Sequence, residues 1–296
     1  MRLRVIEVPS PLGLWPSGVE QAPDALREAG LHGRLGAEEE LRLEVPAYSH
    51  ERDQSTGVLN PAGIADVAHR LADAVGAAID QEEFPVVLGG DCSIVLGPLL
   101  ALRRRGRYGL AYLDGHADFQ HPDDEPKGEV ASLDLALATG RGPAAVADLD
   151  GLGPLVRDED VAVVGYRVVG DNDRFSGEDI RSTAIGVLDL QEVRRLGTGT
   201  TLERVIATVT GPGLHGFWVH LDVDVLSDEL MPAVDYRHPE GLSWDEAAEL
   251  LTGLLGHEMA RGLEVTIFNP RLDPDGSLAR QLSDLIAGTV HAARRD

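Results

Sequence analysis

Short, nearly uninterrupted apolar runs recur along the chain, separated by longer amphipathic stretches. The runs predict strands near Leu3–Val8, Leu41–Val45, Pro85–Leu88, Gly109–Leu113, Val161–Val164, Ala184–Leu188, Phe217–Leu221 and Leu263–Phe268. Between them, Pro61–Gln81 reads as a helix, with Pro61 at its first position and Asn60 as its N-cap. Ser243–Leu255 opens SWDE, the Ser-to-Glu spacing of a capping box, and a last helix is predicted over Ser277–Ala293. Strands apolar on both faces and regularly separated by helices predict a mainly parallel sheet covered by helices on both sides. No linker, repeat or low-complexity tract divides residues 1–296, so a single α/β domain is expected.

In such sheets ligands bind beyond the carboxyl ends of the strands, and polar residues gather there. The fourth run ends GLAYLDGHADFQH, with Asp114, His116 and Asp118 spaced by two, so an extended chain directs them to one side. The seventh ends FWVHLDVDVL, with Asp222 and Asp224 spaced the same way and His220 on the same parity, deeper in the strand. Aspartates at the ends of apolar strands need a cation, because burying them unpaired is costly. Four carboxylates and an imidazole suit two divalent ions, and oxygen donors with some imidazole favour Mn²⁺. Two such ions lower the pKa of a water they share enough to give a nucleophile near neutral pH, which is hydrolytic chemistry. The third run ends VVLGGDCSI, placing Cys92 at the same rim.

Charge narrows the partners. Lys and Arg number 26 against 50 Asp and Glu, a net charge of -24, which repels nucleic acid and anionic membranes and suits a cationic small molecule. No apolar run is long enough to span a membrane, and MRLRVIEVPS lacks the pattern of a signal peptide. One cysteine allows no internal disulfide, so a cytoplasmic location is expected. Lys127 is the only lysine, and it falls in the loop after Asp118.

With these residues in place, the chain resembles the ureohydrolase (arginase/agmatinase) family. LGGDCSIVLG is similar to its GGD-His-Ser segment, LDGHADF to its D-A-H-x-D, and HLDVDVLSDELMP to its S-x-D-x-D-x-x-D-P. GVEQAPDALREAGL, VVGYR and FNPRLD resemble its G-V-x-x-G-P, I-G-x-R and E-V-N-P segments, in the same order along the chain. The resemblance implies a three-layer arginase-like α/β/α fold and a binuclear, manganese-type hydrolase of non-peptide C–N bonds in guanidino or amidino compounds. It also implies a homo-oligomer, trimeric or hexameric. Asp114 and Asp222 would bridge two metals, His116 and Asp224 would complete the second site, and Asp118 and the residue after GGD would complete the first. That residue is Cys92, where the family has His. As a thiolate it would bind metal and shift preference toward Zn²⁺ or Fe²⁺; as a buried thiol it would leave one metal instead of two.

Other departures bear on the substrate. Ala131 stands where the family carries a proton-shuttling His, leaving Glu129 or His121 to relay protons. Ile267 replaces the Glu of E-V-N-P that pairs with a guanidinium, and Glu264, three residues earlier, faces the other side of the strand. Ser227 replaces the third acid of D-x-D-x-x-D. Lys127 and Asp171 are candidates to bind substrate, and free L-arginine is not the expected one. Alternatives are a single-metal amide or formyl hydrolase, like the fold-related deacetylases, and a non-catalytic member of the family.

Overall fold

The computed structural model describes residues 2–37, 39–167 and 173–293. Eight strands form one all-parallel sheet: β1 (Arg2–Val8), β2 (Glu39–Arg42), β3 (Glu83–Gly89), β4 (Gly109–Leu113), β5 (Val161–Val164), β8 (Gly186–Leu188), β9 (Phe217–Asp222) and β10 (Ala260–Thr266). The order across the sheet is β2-β1-β3-β10-β9-β4-β5-β8. A small antiparallel pair, β6 (Arg174–Phe175) and β7 (Glu178–Asp179), lies apart from it. Every predicted strand has its counterpart here. The last predicted strand stops at Thr266 rather than Phe268, because Ile267 turns to φ 69, a left-handed conformation that a β-branched residue rarely adopts.

Alternation along the strands sorts side chains onto two cores. Phe217, Val219 and Leu221 of β9, with Ala111 and Leu113 of β4, face α1 (Ala22–Glu28), α2 (Leu31–Leu35), α8 (Thr198–Val209), α9 (Trp244–Leu255) and α10 (Ser277–Ala292). Trp218 of β9 and Leu110 and Tyr112 of β4 face α3 (Pro61–Asp80), α4 (Leu96–Arg103), α5 (Asp134–Ala138) and α6 (Ala144–Ala147). Helix α7 (Leu190–Leu196) leads into α8. In α3 the buried positions Ile64, Val67, Ala68, Leu71, Ala72, Val75 and Ala78 recur at three- and four-residue spacing, which lays one stripe on the sheet.

The caps divide. Ser243 and Glu246 make the expected reciprocal capping box on α9. Asn60 holds the N-cap position of α3, its carbonyl accepting from the Ile64 amide at 2.9 Å, but its side chain makes no cap bond: it sits at φ 50, its side-chain oxygen accepts from the Ser49 amide at 2.7 Å, and its Nδ2 donates to the Leu12 carbonyl at 3.0 Å. No helix among the described residues is long and apolar enough to cross a membrane.

Strands β10 and β9 lie between β3 and β4, so the chain must cross two strands to pass from β3 to β4. The crevice beyond the carboxyl ends of these four central strands is where ligands collect in open α/β sheets.

Candidate metal centre

Each central strand delivers one piece of the crevice. Beyond β3, Gly90 passes so close to the segment after β1 that a Cβ on it would stand 1.9 Å from the Ser10 carbonyl oxygen, which only glycine tolerates. Asp91, fully buried, accepts from the Ser93 amide and the Ser10 hydroxyl, both at 2.9 Å, and so starts a short 3-10 turn over Cys92–Val95. That turn aims the Cys92 thiol inward, donating to Asp222 Oδ2 at 2.9 Å and lying 3.2 Å from the Thr266 hydroxyl.

Beyond β4, strand alternation ends at Leu113, and the loop itself gathers Asp114, His116 and Asp118, with Asp118 at φ 43. Asp114 Oδ1 accepts from the His116 amide at 2.6 Å. The His116 ring places Nδ1 2.9 Å from Asp224 Oδ2, while Asp224 Oδ1 accepts from the Gly115 amide at 2.9 Å. Beyond β9, Asp222 caps its own turn by accepting from the Asp224 amide at 2.7 Å. Arg167 stands behind this group, donating to the Asp224 carbonyl at 2.7 Å.

Two sets of donor atoms converge within 4.8 Å of one another: Asp114, His116 and Asp224, and Cys92, Asp114 and His220. Asp114 belongs to both. Asp222 borders the second set through Cys92, and Asp118 lies beside it, accepting from the Tyr112 hydroxyl at 3.0 Å. The same hydroxyl reaches Asp134 Oδ1 at 3.1 Å. Burial, and then the neighbouring carboxylates, push Asp118 and Asp222 well above the usual carboxylate range. Burial likewise raises Asp134. Asp224 moves the other way: burial opposes its charge, but the adjacent His116 outweighs it. Asp114 Oδ2 is buried without a hydrogen-bond partner. Crowded acids and an orphaned carboxylate oxygen fit a bound cation.

A cavity of about 310 Å³ opens above this floor. His116, Asp118, Asp222 and Asp224 line its base, and Lys127, Glu129, Asp235 and Tyr236 its wall. Glu129, buried, accepts from the Trp15 amide at 3.3 Å and from the Tyr236 hydroxyl. Lys127 donates to the same hydroxyl at 2.6 Å and lies 4.9 Å over the Tyr236 ring. Ala131 and Ile267 also line the cavity, as small or apolar surface.

His121 is not among the lining residues. Its Nδ1 accepts from the Asp123 amide at 3.1 Å and its ring packs edge-on to Phe175, so the turn that it closes holds it away. Asp171 lies outside the described residues. Beneath the floor, the sequence assigns no role to the fully buried His220, Glu264 and Asp134. His220 shares the parity with Asp222 already noted in the sequence, and Glu264 shares parity with Thr266; that period of two is the signal that ties both to the site.

A model described as the Arginase family matches residues 2–291. The arginase of Staphylococcus aureus strain COL is 28% identical over 290 residues, spanning 95% of this chain and 94% of the relative. The arginase of Bacillus caldovelox is 29% identical over 281 residues, with 92% of each chain covered. Its solved structure superposes with a TM-score of 0.88 at 27% identity, covering 98% of both chains. In fold alone, the chain is similar to a proclavaminate amidino hydrolase from Streptomyces clavuligerus, with a TM-score of 0.71 at 18% identity, covering 99% of this chain and 92% of that one.

Proposed function

This chain belongs to the arginase family, hydrolases of non-peptide C–N bonds, and from that premise we propose that it hydrolyses a modified guanidino or amidino compound with the help of two divalent metals. The observation that supports the reading best is the acid-floored cavity: His116, Asp118, Asp222 and Asp224 form its base, and all but His116 are buried. Asp114, Asp222, His116, Asp224, Asp118 and Cys92 hold the metals in this proposal. When bound, they supply Lewis acidity and lower the pKa of water.

The remaining steps belong to the chain's own residues. The acidic walls attract a cationic substrate and hold its sp² carbon over the floor. Glu129, with the Tyr236 hydroxyl against it, takes up the proton that the attacking water gives up and passes it to the leaving amine, the role that Ala131 lacks the chemistry to fill. Lys127, held at the cavity wall by Tyr236, receives an anionic end of the substrate. Ile267 offers no charge to a guanidinium, which disfavours plain L-arginine; the proposed substrate is a hydroxylated arginine or a guanidino acid. A homo-oligomer in the cytoplasm is part of the same proposal.

The apolar Ile267 wall also favours a second reading, an amide or formyl hydrolase. The test is an assay of metal-loaded protein, with Mn²⁺, Zn²⁺ or Fe²⁺, on a guanidino panel and on acylated polyamines. Urea release from a modified guanidino compound is the expected result. Amine release from the acylated compounds alone would replace the first reading with the second. Metal binding without turnover of any compound would leave a non-catalytic member of the family.

A further inference from the structure

One layer beneath the cavity floor, three neighbouring strands carry a row of buried polar side chains. Tyr112 of β4 is in register with His220 of β9, and His220 with Glu264 of β10. The Tyr112 and His220 rings stack at 4.3 Å between centroids and 7° between planes. His220 and Glu264 are wholly buried. His220 Nδ1 lies 2.8 Å from Glu264 Oε1, and its Nε2, without a hydrogen-bond partner, points toward Asp114.

We infer that His220 is a metal ligand, and that with Cys92 and Asp114 it forms an inner site for a borderline ion such as Zn²⁺ or Fe²⁺, below an outer, oxygen-rich site at Asp114, His116 and Asp224. The inference rests on the metal-dependent reading above and assigns it a ligand. His220 Nε2 and Asp114 Oδ2 are both buried without a partner, 3.8 Å apart. That is too far for a hydrogen bond. It is close to the spacing of two ligands of one ion: donors about 2.0–2.2 Å from a tetrahedral metal stand roughly 3.3 to 3.6 Å from each other. The Cys92 sulfur lies within 4.8 Å of both. The contact of Glu264 with Nδ1 orients the ring as carboxylates orient metal-binding histidines, leaving the Nε2 lone pair free.

Asp114 presents Oδ1 to the His116 side and Oδ2 to the His220 side, as a group shared by two ions would. The imidazole missing at position 92 is recovered at 220, where the family motif quoted above carries serine. Thiolate with imidazole is a softer set than carboxylates alone, hence the Zn²⁺ or Fe²⁺ preference below and Mn²⁺ above.

The test loads anaerobically purified full chain with Co²⁺ and reads cobalt per chain together with the near-ultraviolet thiolate-to-cobalt charge-transfer band. Wild type is expected to bind two cobalt ions and show the band. His220→Asn should bind one and lose the band, whereas His116→Asn should bind one and keep it. Glu264→Gln, a positioning change, should keep the band but weaken the inner cobalt by about 10–100-fold. The double exchange Cys92→His with His220→Ser should bind two without the band. It serves as the deciding variant if His220→Asn does not fold. Two cobalt ions with an undiminished band in His220→Asn would overturn the inference, as would fewer than two in the double exchange. One cobalt without the band in wild type would also overturn it, leaving His220 as a buried cation and the metal-dependent reading intact. No cobalt in wild type would overturn both.

Discussion

Glu7, on a strand, and Asp118, in the loop beyond one, are both buried carboxylates, and they are treated in opposite ways. Glu7, on β1 near the sheet edge, accepts from Arg27 at 2.8 Å and Arg42 at 3.0 Å, with His32 3.1 Å away. Burial alone would raise its pKa, but the hydrogen bonds from these neighbours and the charge of Arg27 outweigh burial and hold it at about 2. Asp118, at the central crevice, meets Asp114, Asp134 and Asp222 instead, and is pushed well above the usual range. Where the chain supplies its own arginines, a buried acid is a structural anchor. Where it withholds them, the acids are left for a cation from outside, and stability is given up for binding.

The strongest break of this contrast is Asp114→Asn. It removes the carboxylate common to both donor sets, so cobalt or manganese binding should fall toward zero, and turnover should drop by about a thousandfold, the equivalent of ~4 kcal/mol of lost charge stabilisation. Metal per chain and kcat on the identified substrate check it.

Next comes Glu7→Gln, which removes the buried carboxylate between two arginines, leaving Arg27 to Glu40 and Arg42 to Asp24, and should cost about 2–3 kcal/mol at pH 7 by denaturant unfolding, with metal binding unchanged. Its pH dependence has a definite sign. A folded pKa of about 2 against the ordinary 4.5 means that the contribution of Glu7 is complete above pH 4.5 and is lost as pH falls toward 2. Wild type and variant should therefore converge in stability over that window; a constant gap would refute the pairing.

A smaller effect of opposite sign is expected at the crevice. Asp118→Asn removes a crowded negative charge, so the metal-free protein should gain about 1 kcal/mol while metal affinity falls. Loss of stability in the metal-free variant would show that Asp118 is already compensated within the chain. The smallest effect belongs to Lys127→Met, a half-exposed side chain. Stability should stay within about 0.5 kcal/mol. KM for an anionic-ended substrate should rise while kcat holds, since a group that only binds loses only binding.

All eight strands of the sheet, the α9 capping box and the acids at the ends of β4 and β9 are legible in the chain because each depends on residues close in sequence. Uninterrupted apolar runs mark strands buried on both faces, and a period of two places Asp222 on the side that Trp218 and His220 share. Local pattern misled where other contacts won: the Asn60 side chain is drawn from its capping bond by Ser49 and Leu12, and His121 is held away from the cavity by its own turn and Phe175.

By itself, then, the sequence determined the layered parallel architecture, the acidic rim and the position of Cys92 there. Only the tertiary structure decided that Tyr112, His220 and Glu264 stand side by side, since β9 and β10 insert between β3 and β4 and set a register no local pattern encodes. Lateral neighbours in this sheet come from segments well separated along the chain, more than forty residues for His220 and Glu264. A lone histidine in one strand and a lone glutamate in another become a metal-orienting pair only once the strands have packed.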